Sequence, residues 1–319
     1  MRHLLLAISL ACAPCASADT LNIVEAGLNA LRARQHQDGR WTGTDPGATV
    51  GTTAQALLPF LGVGAMLPTT GAEHPSRRTA QRALAFLMAA RAPDGRIGTS
   101  CIHVVRDQTF AALALLRAAE DAGRDDWKTA GLAALAWLAE RQSPEGHWRH
   151  LEPEGTAVTV DWSLVTLLAF RAGARATPDR ADVVAAARRA ADWLAARPLP
   201  ESAGAEAGAT LAARRLAGRE AAPEFAMALA RQREQVAALD TQGLLHTTLA
   251  SYHGREDWKA WNRLLRDALI RSDRRVEGEG MTWPAEPGLG EDGHEISVTA
   301  LRLVCLQIYY RYARALVNP

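Results

Sequence analysis

The chain is short of cysteine, of aromatic side chains, of net charge and of long apolar runs, and each shortage removes a class of protein. It carries 4 cysteines in 319 residues, and Cys12 and Cys15 sit near the start. That leaves Cys101 and Cys305, too few for a disulfide scaffold. In an oxidising compartment these two can pair, or they can stand as two buried thiols. Aromatics make up 6% and β-branched runs are short, while Ala and Leu dominate, so helix is favoured nearly everywhere. Without Arg2 the charge falls to zero, with 35 basic side chains against 35 acidic ones. Such a balance gives no support for nucleic acid or an anionic membrane as partner. Past the N-terminus no stretch approaches the roughly 18 apolar residues of a membrane span, so no integral anchor is expected.

The N-terminus reads as a secretory signal peptide covering residues 1–18. Arg2 and His3 are basic, Leu4 to Ala13 is apolar, and Ala16-Ser17-Ala18 is a small-residue cleavage site. Ser9 stands where a lipobox wants Leu, so lipidation of Cys12 is not expected. The expected product is exported, periplasmic or secreted, after cleavage near Ala18. Residues 19–319 are then read as one domain.

What is present is a repeat. Gln35-His36-Gln37-Asp38-Gly39-Arg40-Trp41 recurs as Gln142-Ser143-Pro144-Glu145-Gly146-His147-Trp148, with a fainter copy at Arg91-Ala92-Pro93-Asp94-Gly95-Arg96-Ile97. Gly39 to Gly95 spans 56 residues and Gly95 to Gly146 spans 51. A period near 50 residues implies an array of similar supersecondary units. Two kinds of helix alternate around it. Val24, Leu28 and Leu31 mark an amphipathic helix before the first copy, and Leu132, Leu135 and Leu138 mark another before the third. Helices after the turns are apolar nearly all round, as in Ala54 to Val63, Phe110 to Ala119, Leu164 to Phe170 and Val298 to Ile308. An apolar circumference means burial on every side. The pattern predicts an all-α, double-layered (α/α)6 toroid of about six helical hairpins. Turns are expected near Gly39, Gly95, Gly146, Pro198 to Gly208, Asp240 and Glu277 to Gly293. Gly39, Gly95 and Gly146 are read as left-handed helix C-caps. Trp41, Trp148 and Trp283 are read as packing staples between units.

The Q-x-x-x-G-x-W segments resemble the QW motif of squalene-hopene cyclases and related triterpene cyclases. The hairpin series is similar to the α/α toroid that these share with protein prenyltransferase β subunits and complement-type thioester domains. The resemblance covers the mature chain. It is most specific at Asp257-Trp258-Lys259-Ala260-Trp261-Asn262, Gly280-Met281-Thr282-Trp283-Pro284, Ser297-Val298-Thr299-Ala300-Leu301 and Tyr309-Tyr310-Arg311-Tyr312, an order similar to exported bacterial repeat proteins of this type. The enzymes' signatures are missing. No D-x-D-D occurs to protonate an alkene, and Asp125-Asp126 is an isolated pair. Aligning Thr53, Thr109, Ser163 and Thr299 puts Asp107, Asp161 and Ser297 where a prenyltransferase holds zinc with Cys or His. Thr99-Ser100-Cys101-Ile102-His103 is not a thioester motif.

The remaining chemistry belongs to the inner-helix mouths. Asp107 and Asp161 occupy equivalent positions there, and a carboxylate in a first turn is favoured as a cap or by the helix dipole. As a pair on one cavity they can instead serve as general acid and base. Trp162 can stack on a sugar, or pack. Cys101 and His103 are a weak metal spacing against a turn His and an interior Cys. His246 is a candidate polar contact, and His253 a cation at a helix C-terminus. His294 and Glu295 can reach the rim or cap the last helix. No cofactor is implied. The expected partner is a hydrophobic small molecule such as an isoprenoid, a glycan or a peptide, bound in or over the cavity without the family's catalytic motifs. The alternatives are a cyclase-like enzyme using Asp107 or Asp161, and a carbohydrate-active enzyme. A closed apolar pocket favours the isoprenoid and an open acidic groove the glycan. A filled centre leaves a scaffold or binding role.

Overall fold

The computed structural model describes residues 18–43, 49–68, 73–98, 103–149, 160–252, 254–272, 274–286 and 295–308. The expected signal peptide, apart from Ala18, lies outside them. Twelve α-helices among these residues form two rings. The outer ring is α1 (Ala18–Ala33), α3 (Arg77–Ala89), α5 (Asp125–Ala139), α7 (Ala181–Ala196), α9 (Pro223–Glu234) and α11 (Arg255–Arg271). The inner ring is α2 (Thr49–Gly62), α4 (Val104–Ala122), α6 (Val160–Ala176), α8 (Ala205–Leu216), α10 (Thr241–Tyr252) and α12 (Glu295–Gln307). Each inner helix packs on the next, and α12 packs back on α2 to close the circle. A buried hydrogen bond from Gln307 Nε2 to the Pro59 carbonyl, 3.1 Å, secures that closure. The fold is the expected (α/α)6 toroid.

Burial separates the rings as the apolar patterns require. Outer α3 buries Thr79, Ala80, Ala83, Leu84 and Leu87, one stripe at helical spacing. Inner α2 is buried continuously from Val50 to Gly62, α4 from Val104 to Ala119, and α10 from Thr241 to Ser251. The sixth connection contains a small antiparallel hairpin, β1 (Arg275–Glu277) with β2 (Gly280–Thr282), in which Val276 faces Met281. Three-residue strands are too short to show alternation, and the sequence pattern did not predict them.

The seams between hairpins explain the repeat. Gln35 Nε2 donates to the Gly39 carbonyl of its own turn (2.9 Å) and to Thr79 O on the next outer helix (3.0 Å). Arg82, one turn along α3, returns a hydrogen bond to Gln35 Oε1. The third unit repeats this: Gln142 Nε2 reaches Gly146 O and Ala186 O, both 3.0 Å, and Arg189 of α7 caps Gln142 Oε1. Trp41 and Trp148 are completely buried, stacked on Phe60 and Phe170, with indole N–H bonds to Leu31 O and Leu138 O. Trp283 is buried likewise, its N–H on Ser272 Oγ at 2.8 Å. Where Gln is missing, another Gln serves. Gln108 of α4 holds Gly95 O (3.0 Å) and Ile97 N (2.8 Å), and Gln232 of α9 holds both backbone groups of Gly204.

The glycines of these turns are not helix C-caps. Helix α1 ends at Ala33, and Gly39 lies beyond it with its N–H bonded to His36 O. Glycine is required because φ is +92° at Gly39 and +107° at Gly146, and because each turn lies against the neighbouring outer helix. A Cβ on Gly39 would stand 2.2 Å from Arg82 O, and one on Gly146 would stand 2.3 Å from Arg189 O. The true C-cap glycine is Gly123, at φ +64°, where a Cβ would meet nothing within 4 Å. Gly146→Ala should therefore destabilise the protein by at least ~2 kcal/mol, and Gly123→Ala by only about 1 kcal/mol. Urea denaturation of the two variants measures the difference.

Candidate functional site

The first turns of α2, α4 and α6 meet at one end of the inner ring, and the sequence-predicted carboxylate lies there. The cap position of α4 is His103, without a side-chain cap, so Asp107 does not cap the helix and instead sits within its first turn. Its carboxylate is 3% exposed and belongs to a local cluster. Arg106 donates from Nε (3.2 Å) and Nη2 (3.0 Å) to Asp107 Oδ1. Gly51 of α2 makes the room: a Cβ there would lie 2.1 Å from Asp107 Oδ1 and 3.3 Å from its Cα. The Arg106 guanidinium also stands 5.8 Å from the ring of Trp162 on α6, and Phe110 meets that ring edge-on at 5.9 Å. Trp162 is half-buried. Further along the same two helices, the Thr109 and Thr166 hydroxyls join α4 to α6 at 3.0 Å.

Arg106 and Gly51 escaped the sequence reading. The available signal was the adjacent Arg-Asp pair at the head of an otherwise apolar helix, because two buried charges must find partners. Asp161 is the second residue of α6, and its side chain lies outside the described set. Cys101, His253 and His294 also lie outside it. His103 is buried beside α4. His246 is buried between α10 and α8, its Nδ1 3.2 Å from Ala205 O, and is a helix-to-helix contact. Glu295 begins α12, accepts a hydrogen bond from Thr282 Oγ1, and pairs with Arg34 (3.5 Å) and Arg275 (3.8 Å). It thus ties the last turn to the first helix.

Two properties bound the chemistry. A ligand channel along the axis would leave a stripe of accessible side chains on each inner helix. Among the described residues α2, α4 and α10 show no such stripe over their buried spans. No group of three or more His, Cys, Asp or Glu among the described residues is placed to hold a metal. Cys305 is a free buried thiol on α12, pushed up to about 12 by burial.

No protein-family model matches the chain, and no curated protein matches it. Solved structures do share its fold. A GH76 α-mannanase from Bacteroides thetaiotaomicron superposes with a TM-score of 0.66 at 14% identity, covering 93% of this chain and 97% of its own. Cellobiose 2-epimerase from Spirochaeta thermophila gives 0.60 at 16% identity, covering 93% and 99%. A type II terpene cyclase from Scytonema gives 0.54 at 15% identity, covering 90% and 97%. The chain therefore has the (α/α)6 toroid fold shared by sugar-processing enzymes and a terpene cyclase. Identities this low establish the fold alone.

Removing one member of a buried ion pair leaves the other charge less well compensated, so Arg106→Ala should destabilise the protein by about 3 kcal/mol. Arg106→Ala with Asp107→Ala should cost less than the sum of the two, measured in a denaturation double-mutant cycle. In native protein Cys305 should resist alkylation, read by peptide mass spectrometry. Its folded thiol stays protonated while the unfolded chain ionises near the ordinary 9.0, so its contribution to stability should fall from about pH 9 to about pH 12.

Proposed function

We propose that this protein is an exported toroid that binds a sugar-like ligand over the rim of its inner ring without turning it over. The observation that carries this reading is the state of Asp107: buried, committed to Arg106, and packed on Gly51 beneath a half-buried Trp162. A general acid or base must reach the proton it transfers, and a carboxylate sealed in this way does not. The pair acts instead on Trp162. Arg106 and Phe110 both contact the indole, and a half-buried indole is an apolar platform of the kind that stacks against a sugar ring. Supporting the sugar class, the α-mannanase and the epimerase are named for sugar chemistry and share the fold. An isoprenoid needs a deep apolar cavity along the axis, and among the described residues α2, α4 and α10 show no accessible stripe that would line one. Export follows from the reading of residues 1–18, and no helix among the described residues is long and apolar enough to cross a membrane.

The test is calorimetric titration with soluble oligosaccharides, run beside a reducing-sugar assay. Wild type should bind at least one glycan, Trp162→Ala should bind it at least tenfold more weakly, and neither should release reducing ends. Sugar release that Asp107→Asn abolishes would instead make this a carbohydrate-active enzyme. Mature protein recovered from its host should begin near Asp19.

A further inference from the structure

The fifth seam lacks the features of the first and third. Its turn, a 3-10 segment Val236–Ala238 followed by Leu239 and Asp240, carries neither the Gly-x-Trp segment nor a Gln that bonds both the turn and the next outer helix. The space that a clamped turn would close is a cavity of about 390 Å³, bounded by Leu239 on the turn, Leu244 on α10, and Leu264, Ala268 and Leu269 on α11. On its inner side stands Arg302 of α12. The guanidinium donates to Thr241 Oγ1 (3.0 Å), to Ser272 Oγ (3.3 Å) and to Glu286, which also accepts the Thr241 N–H at 2.8 Å. A guanidinium has five N–H donors, so these three bonds leave two for a ligand. The sixth seam also has a cleft, of about 360 Å³, but Arg34, Arg275, Glu277 and Glu295 have already claimed its polar groups for one another.

We propose that the fifth-seam cavity is a binding site for a small neutral amphipath, an aliphatic body ending in a hydroxyl or carbonyl oxygen. The volume falls in the range of small-molecule pockets, and apolar walls around a few convergent donors are the composition such sites share. The charge of Arg302 is already balanced by Glu286, so the complementary end group is a neutral acceptor. The two guanidinium groups in the lining, Arg302 and Arg271, are already paired with Glu286 and Asp267, so a carboxylate would add a negative charge that neither is left to offset. The site is separate from the Trp162 rim and stands without that reading.

The test uses 1-hexanol and hexanoate as probes, titrated at pH 7 with ligand-observed NMR against the full mature chain. 1-Hexanol should bind with a dissociation constant of about 1 mM or tighter, and hexanoate at least tenfold more weakly. Ala268→Phe fills the cavity from α11 and should weaken 1-hexanol at least tenfold; Leu264→Phe does so from the preceding turn, should the first variant not fold. Trp162→Ala should leave 1-hexanol binding unchanged, which separates this site from the rim. The proposal is overturned if 1-hexanol does not bind by about 10 mM, if neither filled variant weakens it, or if hexanoate binds as tightly. A dimer that Ala268→Phe dissociates would also overturn it, because a second copy would then occupy the cavity.

Discussion

A turn carbonyl held by a glutamine amide, with the turn pressed onto the next outer helix, is the contact from which the toroid is assembled. An isolated helical hairpin of this kind cannot bury its apolar faces, so its stability comes from its neighbours. The Gln35 and Gln142 amides each satisfy two backbone carbonyls at once, one in their own turn and one on the following unit. The first and third seams are thereby fixed in rotation, one hairpin against the next. The ring closes where α12 packs back against α2. The glycine permits the approach, and the tryptophan fills the space behind it.

The same packing determines what the inner helices can do. Helices that touch a neighbour on each flank and an outer helix behind have little surface left for a ligand, and their polar residues are used on one another. Asp107 illustrates this. It lies in the first turn of α4, where Gly51 lets α2 close over it and Arg106 bonds its carboxylate. Cavities among the described residues lie instead at the seams, including the fifth, where no glutamine bridges turn and next helix.

Much of the fold was legible because its signals are local. The apolar circumference of Ala54 to Val63 and the single stripe of Ala80, Ala83, Leu84 and Leu87 distinguish inner from outer helices without any knowledge of neighbours. The glycine turns were located correctly, but their role was misread. Positive φ is a local property, whereas the Arg189 carbonyl that a Cβ on Gly146 would strike belongs to a residue 43 positions away. The site was less legible for the same reason. That Asp107 carries a charge near a helix start is evident from the chain; that this charge is sealed depends on Gly51, 56 positions earlier.

By itself the sequence determined the helices, their alternation, the period and so the number of units, because each rests on periodicity and turn chemistry within one hairpin. It also determined that the familiar catalytic motifs of related toroids are absent. Only the tertiary structure decided that α2, α4 and α10 are buried over most of their length, that Arg106 and Gly51 close on Asp107, and that a cavity opens at the fifth seam. Those outcomes depend on which side chains from distant segments arrive at the same place, and spacing along one chain does not carry that information.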